Sequence, residues 1–416
     1  MYVEEVIAIN LDRYLQFGNG ISSSIFIAVL KNDTKYIVKY YESGSDMLIT
    51  DERKQTLLHL AARNKAYHSM ELLLLIGLDP NIGDKYNETP LHISAFMGST
   101  DLVKLLLDSS GDPNHINDSM QTPLHKAAFK GSVEVIKLLL DYHASIYAVD
   151  ENHTSMVQYA IRSKKIKAVK FLIENGAILN SLDIKKQSVH HYAALYSTTE
   201  IAMYLIKLGV NPYSKTNFRY TPLHFAVDLP HTDMVKLFLK HGLTSYDKNK
   251  FGQSPYDRAV LKNSYESIEI FNRLKNDKDY QAQFGKTPLS LSIVMNEFDK
   301  ADSLIPISNV DEKDIFGNTA LFYAIMNREP YLVEKLLNEN ATILNIDRWN
   351  KNAIYFATIV GNIEIIKHLQ KERIDYAEKY DGYSVLEIAM YNYDLEVYDV
   401  LKKGSLLWSE PFIFVT

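Results

Sequence analysis

Five histidines are the residues of this chain best suited to bind a metal ion or to transfer a proton, because imidazole titrates near neutral pH and is a common metal ligand. They are His59, His92, His125, His191 and His224. Long stretches of chain separate successive members, so no two of them share a short motif. His190 and His191 are the only adjacent pair, and a zinc site there needs further ligands that the sequence does not place. The absence of cysteine excludes disulfides, thiolate nucleophiles and Cys-based zinc sites.

No other motif points to catalysis. The sequence has no Gly-rich phosphate loop, no HExxH helix and no nucleophile elbow, and its carboxylates are scattered. We therefore predict a protein that is not an enzyme and that binds neither a cofactor nor a metal. The alternative is an enzyme with an unrecognised site near residues 254–306, where the repeat described next is least regular.

A tetrapeptide recurs through the chain and sets a register for the whole sequence. Thr-Pro-Leu-His occupies 89–92, 122–125 and 221–224, and the variant Thr-Leu-Leu-His occupies 56–59. Positions equivalent to its first residue follow at a nearly constant spacing: Ser23, Thr56, Thr89, Thr122, Thr154, Ser188, Thr221, Ser254, Thr287, Thr319, Asn352 and Ser384. Such a period indicates stacked units in which each unit meets its neighbour in the same way.

The residues within one period predict two short helices and a turn. Thr122 can cap a helix whose first turn holds Pro123, and Ala127 and Ala128 leave room for a neighbouring unit. A turn at Gly131 leads to a second helix, 133–141, with Val, Ile and Leu side chains on one face. Glycines then recur where that second helix ends, at Gly77, Gly176, Gly209 and Gly242. Asp-Pro-Asn turns lead into an extended finger before the next unit.

The pattern Thr-Pro-Leu-His-x-Ala-Ala, Gly, Val-x-x-Leu-Leu, Gly-x-Asp-Pro-Asn resembles the ankyrin-repeat family over residues 20–402. The resemblance implies an all-α fold, a solenoid of antiparallel helix pairs with projecting β-turn fingers. It also implies that the five motif histidines are structural and form hydrogen bonds between neighbouring turns.

Three segments are expected along the chain. Residues 1–22 would form an N-terminal capping helix or half repeat, and 23–402 would hold the repeats. Residues 403–416 would form an apolar tail that either folds back as a cap or docks on a partner. Because Pro306 follows the second helix near Phe298 early, we also expect the stacking to change around 254–306.

Two sets of apolar side chains are candidate binding residues. Aromatic residues stand three positions before the period marker, at the fingertips: Tyr86, Phe218, Phe251, Phe284, Phe316 and Trp349. They either contact a partner or pack on the adjacent finger. The resemblance implies that the end of each first helix faces a concave groove, and the apolar residues there include Phe96, Met97, Phe129, Leu195, Tyr196 and Met295. An exposed apolar strip of this kind is typical of an interaction site.

These observations favour a scaffold that binds another protein or an extended peptide, either as a cytoplasmic regulator or inhibitor or as an effector exported without a leader into a host cell. The alternative is an adaptor that holds a target with its repeats and recruits machinery through the tail. The net charge of −6 and the lack of a basic block argue against nucleic acid. No signal peptide and no apolar run of about 20 residues is present, so membrane insertion is not expected. A capped solenoid needs no second copy of itself, so we expect a monomer.

Overall fold

The computed structural model describes residues 22–196, 199–229, 232–276, 286–314, 317–347, 350–372, 374–380, 382–392 and 394–407. Short antiparallel helix pairs joined by extended fingers make up nearly all of it, which confirms the predicted all-α class. The chain divides into two compact units, Met1–Ile201 and Ala202–Thr416. No helix in the described part of the chain has both the length and the apolar character that crossing a bilayer requires.

Within the described residues, unit 1 contains five helix pairs and the start of a sixth. In chain order the helices are α1 (Ser22–Leu30), α2 (Thr34–Glu42), α3 (Leu57–Arg63), α4 (Tyr67–Ile76), α5 (Pro90–Met97), α6 (Thr100–Asp108), α7 (Pro123–Lys130), α8 (Val133–Asp141), α9 (Met156–Arg162), α10 (Ile166–Glu174) and α11 (Val189–Tyr196). The helix α12 (Thr199–Lys207) follows, beginning in unit 1 and ending in unit 2.

First helices pack against first helices, and second helices pack against second helices, along unit 1. Leu124, Ala127 and Ala128 of α7 are fully buried between neighbours, as their sizes predict. In α8, Val135, Ile136 and Leu139 are buried, whereas Leu138 is only half-buried. Because each pair buries its apolar faces against adjacent pairs, stability is shared between neighbours and no single pair has a core of its own.

The fingers owe their shape to an Asp or Asn side chain at the base. In the finger before α5, Asp84 Oδ1 accepts hydrogen bonds from the backbone N–H of Tyr86 at 2.9 Å and of Glu88 at 3.1 Å. The same arrangement recurs at Asp150 and Asp183. Neighbouring fingers are joined by backbone hydrogen bonds such as Asp118 N–H to Tyr86 O at 3.0 Å. Side chains at the finger bases therefore set the shape of each turn, and backbone hydrogen bonds between fingers set their spacing.

The register differs from the predicted one in the unit that follows Thr122. The N-cap of α9 is Ser155, whose capping box with Gln158 replaces the expected start at Thr154. Thr154 instead donates its backbone N–H to Asp150 at 2.7 Å, inside the finger. The corrected position makes the spacing equal on both sides, from Thr122 to Ser155 and from Ser155 to Ser188.

Unit 2 contains the remaining helices and one short hairpin. They are α13 (Pro222–Ala226), α14 (Asp233–Lys240), α15 (Pro255–Leu261), α16 (Tyr265–Asn276), α17 (Pro288–Val294), α18 (Phe298–Leu304), a 3₁₀ turn (Ile305–Ile307), α19 (Ala320–Met326), α20 (Pro330–Asn338), α21 (Ala353–Val360), α22 (Ile363–Leu369), α23 (Val385–Tyr391) and α24 (Leu395–Leu407). Strands β1 (Lys379–Tyr380) and β2 (Tyr383–Ser384) pair antiparallel before α23.

The regular ladder of first helices is interrupted in unit 2. Helices α17, α19, α21 and α23 pack in succession, but α15 and α17 do not form a close pair among the described residues. The helix before the interruption, α16, has 12 residues, and α18 has seven and ends in the 3₁₀ turn that contains Pro306. The uniform stacking that the period indicates therefore does not extend through residues 254–306, where a change in stacking was expected.

The predicted N-terminal cap lies almost entirely outside the described residues, and the predicted C-terminal tail starts too early. Of the predicted cap 1–22, only Ser22 lies within the described residues, as the first residue of α1. The predicted tail does not begin at 403, because α24 continues to Leu407. Residues 408–416 lie outside the described part of the chain.

Candidate protein-binding surface

The ends of the first helices in unit 1 carry a row of side chains at one register position. Phe96, Phe129, Arg162 and Leu195 lie one repeat period apart, each at the same distance in sequence from the start of its unit. The Phe96 and Phe129 rings stack with centroids 6.1 Å apart at an interplanar angle of 14°. They remain 45% and 37% exposed, so neighbouring helices bring two rings together without covering them.

Arg162 continues this row as a cation among aromatic rings. Its guanidinium carbon lies 5.1 Å from the Phe129 ring centroid and 5.4 Å from the centroids of Tyr159 and Tyr196. Within the described part of the chain, no carboxylate pairs with it. The rings hold the positive charge by cation–π attraction and leave its hydrogen-bond donors available.

Tyr196 and the other predicted helix-end residues of unit 1 belong to the same row of helix ends as this cation. The Tyr196 side chain is 41% exposed, and its ring lies 5.9 Å from that of Tyr192. Met97 and Leu195 are half-buried. We call the surface formed by Phe96, Met97, Phe129, Arg162, Leu195 and Tyr196 the unit 1 patch.

The prediction of exposed apolar helix ends fails at α17, α19 and α21 of unit 2, whereas Leu261 at the end of α15 is 64% exposed. Met295, predicted to lie on a binding surface, is only 5% exposed. The chain around Thr244 covers the end of its helix, where Thr244 Oγ1 donates to the Val294 carbonyl at 3.3 Å. Met326 and Val360, at the ends of the next first helices, are buried as well.

A finger of unit 2 fills the space beside α19 and α21. The Tyr213 ring lies 5.1 Å from Phe322 and 5.8 Å from Phe356, in edge-to-face contacts. Asn211 Nδ2 donates to the Tyr355 hydroxyl at 3.2 Å. These contacts join residues that are several repeats apart in sequence, and they cover side chains in the first turns of α19 and α21.

The fingertip aromatics that the structure describes are both packed and exposed. Phe218 and Phe251 stack with centroids 5.7 Å apart and are 55% and 63% exposed. In unit 1, Tyr86 is 56% exposed and lies 4.7 Å from the Lys85 amine. Packing on a neighbour therefore does not remove these rings from solvent. Phe284, Phe316 and Trp349 lie outside the described residues.

His59, His92 and His224 form both hydrogen bonds expected of structural residues, whereas the Nε2 atom of His125 is buried without a hydrogen-bond partner. His92 Nδ1 accepts the Thr89 backbone N–H at 3.2 Å, and Nε2 lies 2.9 Å from the Gln121 carbonyl, which accepts its proton. His59 and His224 repeat both contacts. The ring thus links the start of its own helix to the next finger.

Gln158 shows that an amide can replace the imidazole. Its Oε1 accepts the Ser155 N–H at 2.8 Å, and its Nε2 donates to the Gln187 carbonyl at 2.8 Å. Glutamine is neither a proton-transfer group nor a usual metal ligand, so hydrogen-bond geometry alone defines the position.

Burial keeps these imidazoles neutral. It lowers the pKa of His92, His125 and His224 to about 4, against the opposing effect of nearby carboxylates and carbonyl acceptors. Within the described ranges no three His, Asp or Glu side chains are arranged to hold a metal ion. His190 and His191 are both fully buried.

Sequence reasoning overlooked Arg162 as a binding residue. The signal was present, because Arg162 falls in phase with Phe96 and Phe129 once Ser155 is taken as the start of its unit. The error of one position at Thr154 hid that equivalence. The covering of Met295, in contrast, depends on chain far away in sequence.

Comparison with known proteins agrees with this architecture. The family model "Ankyrin repeats (3 copies)" matches residues 25–117, 98–183, 190–271 and 257–347. The chain belongs to the ankyrin-repeat family, whose repeats generally form scaffolds for protein–protein interaction and are typically not enzymes.

The structure is also similar to the crystal structure of the human ASB11 ankyrin repeat domain. That likeness has a TM-score of 0.46 at 21% identity and covers 50% of this chain and 96% of that one. No curated protein matches the sequence.

Proposed function

We propose that the protein binds a segment of another protein through the unit 1 patch, on the concave face that ankyrin helix ends line. The observation that carries this proposal is the stacked and exposed pair Phe96–Phe129 beside an arginine that has no carboxylate partner in the described chain. Exposed aromatic rings supply large, rigid contact area, and arginine and aromatic residues are enriched where binding energy concentrates.

The charges around the patch indicate the chemistry of the bound segment. Arg162 can donate a bidentate hydrogen bond to a carboxylate while its faces stay against the rings. Exposed lysines stand in the adjoining turns at Lys130, Lys164 and Lys165. A segment with an aromatic or large aliphatic side chain next to an Asp or Glu fits both features.

Unit 2 does not offer an equivalent surface. Its helix ends near Met295 and Val360 are covered by its own chain, so an incoming segment would first have to displace that chain. Apolar residues do remain exposed elsewhere in unit 2, among them the fingertip rings Phe218 and Phe251 and the helix-end residue Leu261. We therefore place the primary contact in unit 1 and treat the fingertips as a separate surface.

Selection from a random peptide library tests the proposal without a known partner. The full chain should enrich peptides that carry an acidic residue next to an aromatic or large aliphatic one. A variant with Phe96, Phe129 and Tyr196 changed to serine should lose at least tenfold in affinity for those peptides, because the contact area is removed. Arg162→Glu should reduce binding of the acidic peptides selectively.

Leu75→Ser is the matched control, because Leu75 is 80% exposed on the second helix α4, away from the patch. It should bind the selected peptides with wild-type affinity. All variants should keep the wild-type circular dichroism spectrum. Unchanged binding by the triple variant would refute the assignment of the patch, and equal losses in the triple variant and Leu75→Ser would show that the contact is not specific.

A further inference from the structure

Three lysines accompany Arg162 along the ends of the first helices in unit 1. Lys130 follows Phe129 at the end of α7, and Lys164 and Lys165 lie in the turn after α9. All three are exposed, and in the described part of the chain none of them forms an ion pair with a carboxylate. This edge of the unit 1 patch therefore carries a surplus of positive charge that no ion pair with a described residue offsets.

Two of these lysines lie across the glycine turns that end the preceding first helices. A Cβ placed on Gly98, the residue after Met97, would lie 3.6 Å from Lys130 Cγ. A Cβ placed on Gly131, the residue after Lys130, would lie 2.8 Å from Lys165 Cδ. The glycines thus let the lysine of one repeat pack onto the end of the first helix in the repeat before it. The lysine stems therefore run alongside the row of exposed rings.

An exposed aromatic surface adjoins these cations. The Arg162 guanidinium carbon lies 5.1 Å from the centroid of the Phe129 ring, which is 37% exposed and stacks on Phe96. Tyr196 is 41% exposed, and its ring centroid lies 5.4 Å from the same carbon. A group that accepts hydrogen bonds from Arg162 therefore also lies close to two exposed rings.

The amount of charge distinguishes a phosphate from a carboxylate at this position. One carboxylate would pair with the guanidinium and leave the three lysines unbalanced. A phosphate ester carries about −1.5 to −2 charge at neutral pH and has three acceptor oxygens. Two of those oxygens can accept parallel hydrogen bonds from Arg162 while the third accepts one from a lysine amine on its flexible stem. The surplus of cations therefore favours a phosphate group.

We propose that the unit 1 patch recognises a phosphotyrosine of its partner protein, an inference that rests on the function proposed above for this patch. Phosphotyrosine joins an aromatic ring and a dianion on one side chain. In this arrangement the ring packs against Phe129, and the phosphate accepts hydrogen bonds from Arg162 and from a lysine amine. Phosphoserine has the charge without the ring, and an acidic residue beside an aromatic one spreads the two features over two side chains.

Four peptide libraries with randomised flanks and a fixed central residue test the proposal on the full chain. The central residue is phosphotyrosine, tyrosine, phosphoserine or glutamate. We expect the chain to capture the phosphotyrosine library at least tenfold more than each of the other three, because only that library supplies the ring and the dianion together. Calorimetry at one ionic strength then measures the dissociation constants of individual peptides recovered from it.

Arg162→Gln should reduce the affinity for the recovered phosphotyrosine peptides at least tenfold and change the affinity for their unphosphorylated forms little. The double variant Lys130→Gln, Lys165→Gln should also lose affinity for the phosphorylated forms. Its matched control is the double variant Lys104→Gln, Lys137→Gln, which removes the same charge from exposed positions on the second helices α6 and α8. The control should bind the phosphotyrosine peptides with wild-type affinity.

The outcomes separate this inference from the function on which it rests. Capture that depends on Phe96, Phe129 and Tyr196 but shows no preference for phosphotyrosine over glutamate refutes the phosphotyrosine assignment and leaves the protein-binding function standing. Equal capture of phosphoserine and phosphotyrosine refutes the assignment too, because the rings then contribute nothing to selection. Equal losses in the two lysine variants also overturn it, since only the overall charge would then be sensed. Absence of capture from all four libraries refutes both proposals.

Discussion

The residue three positions after the N-cap of a first helix contributes much of the stability of its repeat. The side chains of His92 and Gln158 each accept a hydrogen bond from the backbone N–H at the start of their helix. Each also donates a hydrogen bond to the carbonyl that precedes the first helix of the next repeat. Each bond joins polar groups that would otherwise be buried without a partner, and such groups destabilise the fold by about 1–3 kcal/mol each. A neutral imidazole suits this position because one ring nitrogen accepts a hydrogen bond and the other donates one.

We expect stability to fall as the pH is lowered from about 7 to 5. The folded pKa of His92, His125 and His224 is about 4, whereas an unfolded histidine titrates near 6.5. Between these two pKa values the unfolded chain binds protons that the folded chain does not bind. Protonation therefore favours unfolding, and the buried neutral histidines stabilise the fold fully only above the unfolded pKa. Each histidine should lower the free energy of unfolding by up to about 1.4 kcal/mol for each pH unit of acidification in this range. Urea denaturation at several pH values measures it.

His92→Gln separates titration from geometry in this experiment. Because Gln158 makes both bonds without titrating, the variant should stay folded and show a shallower pH dependence than the wild type. His92→Ala should unfold at lower urea at every pH, since it leaves the Thr89 N–H and the Gln121 carbonyl unpaired. An unchanged pH slope in His92→Gln would contradict the assignment.

The fingers and the glycines that precede them differ between the two units even though their sequences are alike. Gly77 and Gly242 both follow a second helix with positive φ, at +101° and +96°. A Cβ at Gly77 would meet open space, whereas one at Gly242 would lie 2.7 Å from the Tyr213 hydroxyl and 3.3 Å from that of Tyr323. The same backbone turn is thus free in unit 1 and in close contact in unit 2.

Gly242→Ala should therefore destabilise its unit more than Gly77→Ala does. Both substitutions place a Cβ in the left-handed region, which costs about 1 kcal/mol. Only Gly242→Ala also displaces Tyr213, which is 2% exposed and donates to the His241 carbonyl at 2.7 Å. We expect an additional loss of about 1–2 kcal/mol, within the range for overpacked sites. Hydrogen exchange should show the added opening in residues 211–246, and equal effects of the two substitutions would argue against this packing.

Across the whole molecule, stability depends on how the terminal units are closed. The last helix, α24, ends with residues that pack on the preceding unit: Leu401 is fully buried, and Gly404 lies so close to Gln370 and Tyr376 that a Cβ there would clash with both. The end of the helix therefore covers part of the preceding repeat and contributes to its stability.

Deleting residues 403–416 should lower the melting temperature, because it removes the end of α24 and exposes the preceding unit. Deleting only 408–416 leaves that helix intact and serves as the comparison. If the shorter deletion alone reproduces the full loss, the segment after Leu407 is itself the cap. If the longer deletion leaves the melting temperature unchanged, the capping role of α24 is wrong.

The sequence by itself determined the helix pairs, their caps and the family of the chain, because these depend on short-range signals repeated in phase. Thr-Pro-Leu-His, the buried alanines and the Asp-based fingers each act within a few residues or between adjacent units. Phe96 and Phe129 could be predicted as exposed neighbours for the same reason. The early Pro306 also marked where the stack becomes irregular.

Only the tertiary structure decided which helix ends remain open to a partner. Met295 and Phe96 occupy similar positions in their repeats, yet chain around Thr244 covers one and nothing in the described structure covers the other. The contacts of Tyr213 with Phe322 and Phe356 join residues that are three or more repeats apart. A repeat that specifies contacts only within a unit and with its neighbours has no means of encoding these, because they arise where the repeat stops propagating and the chain packs on itself.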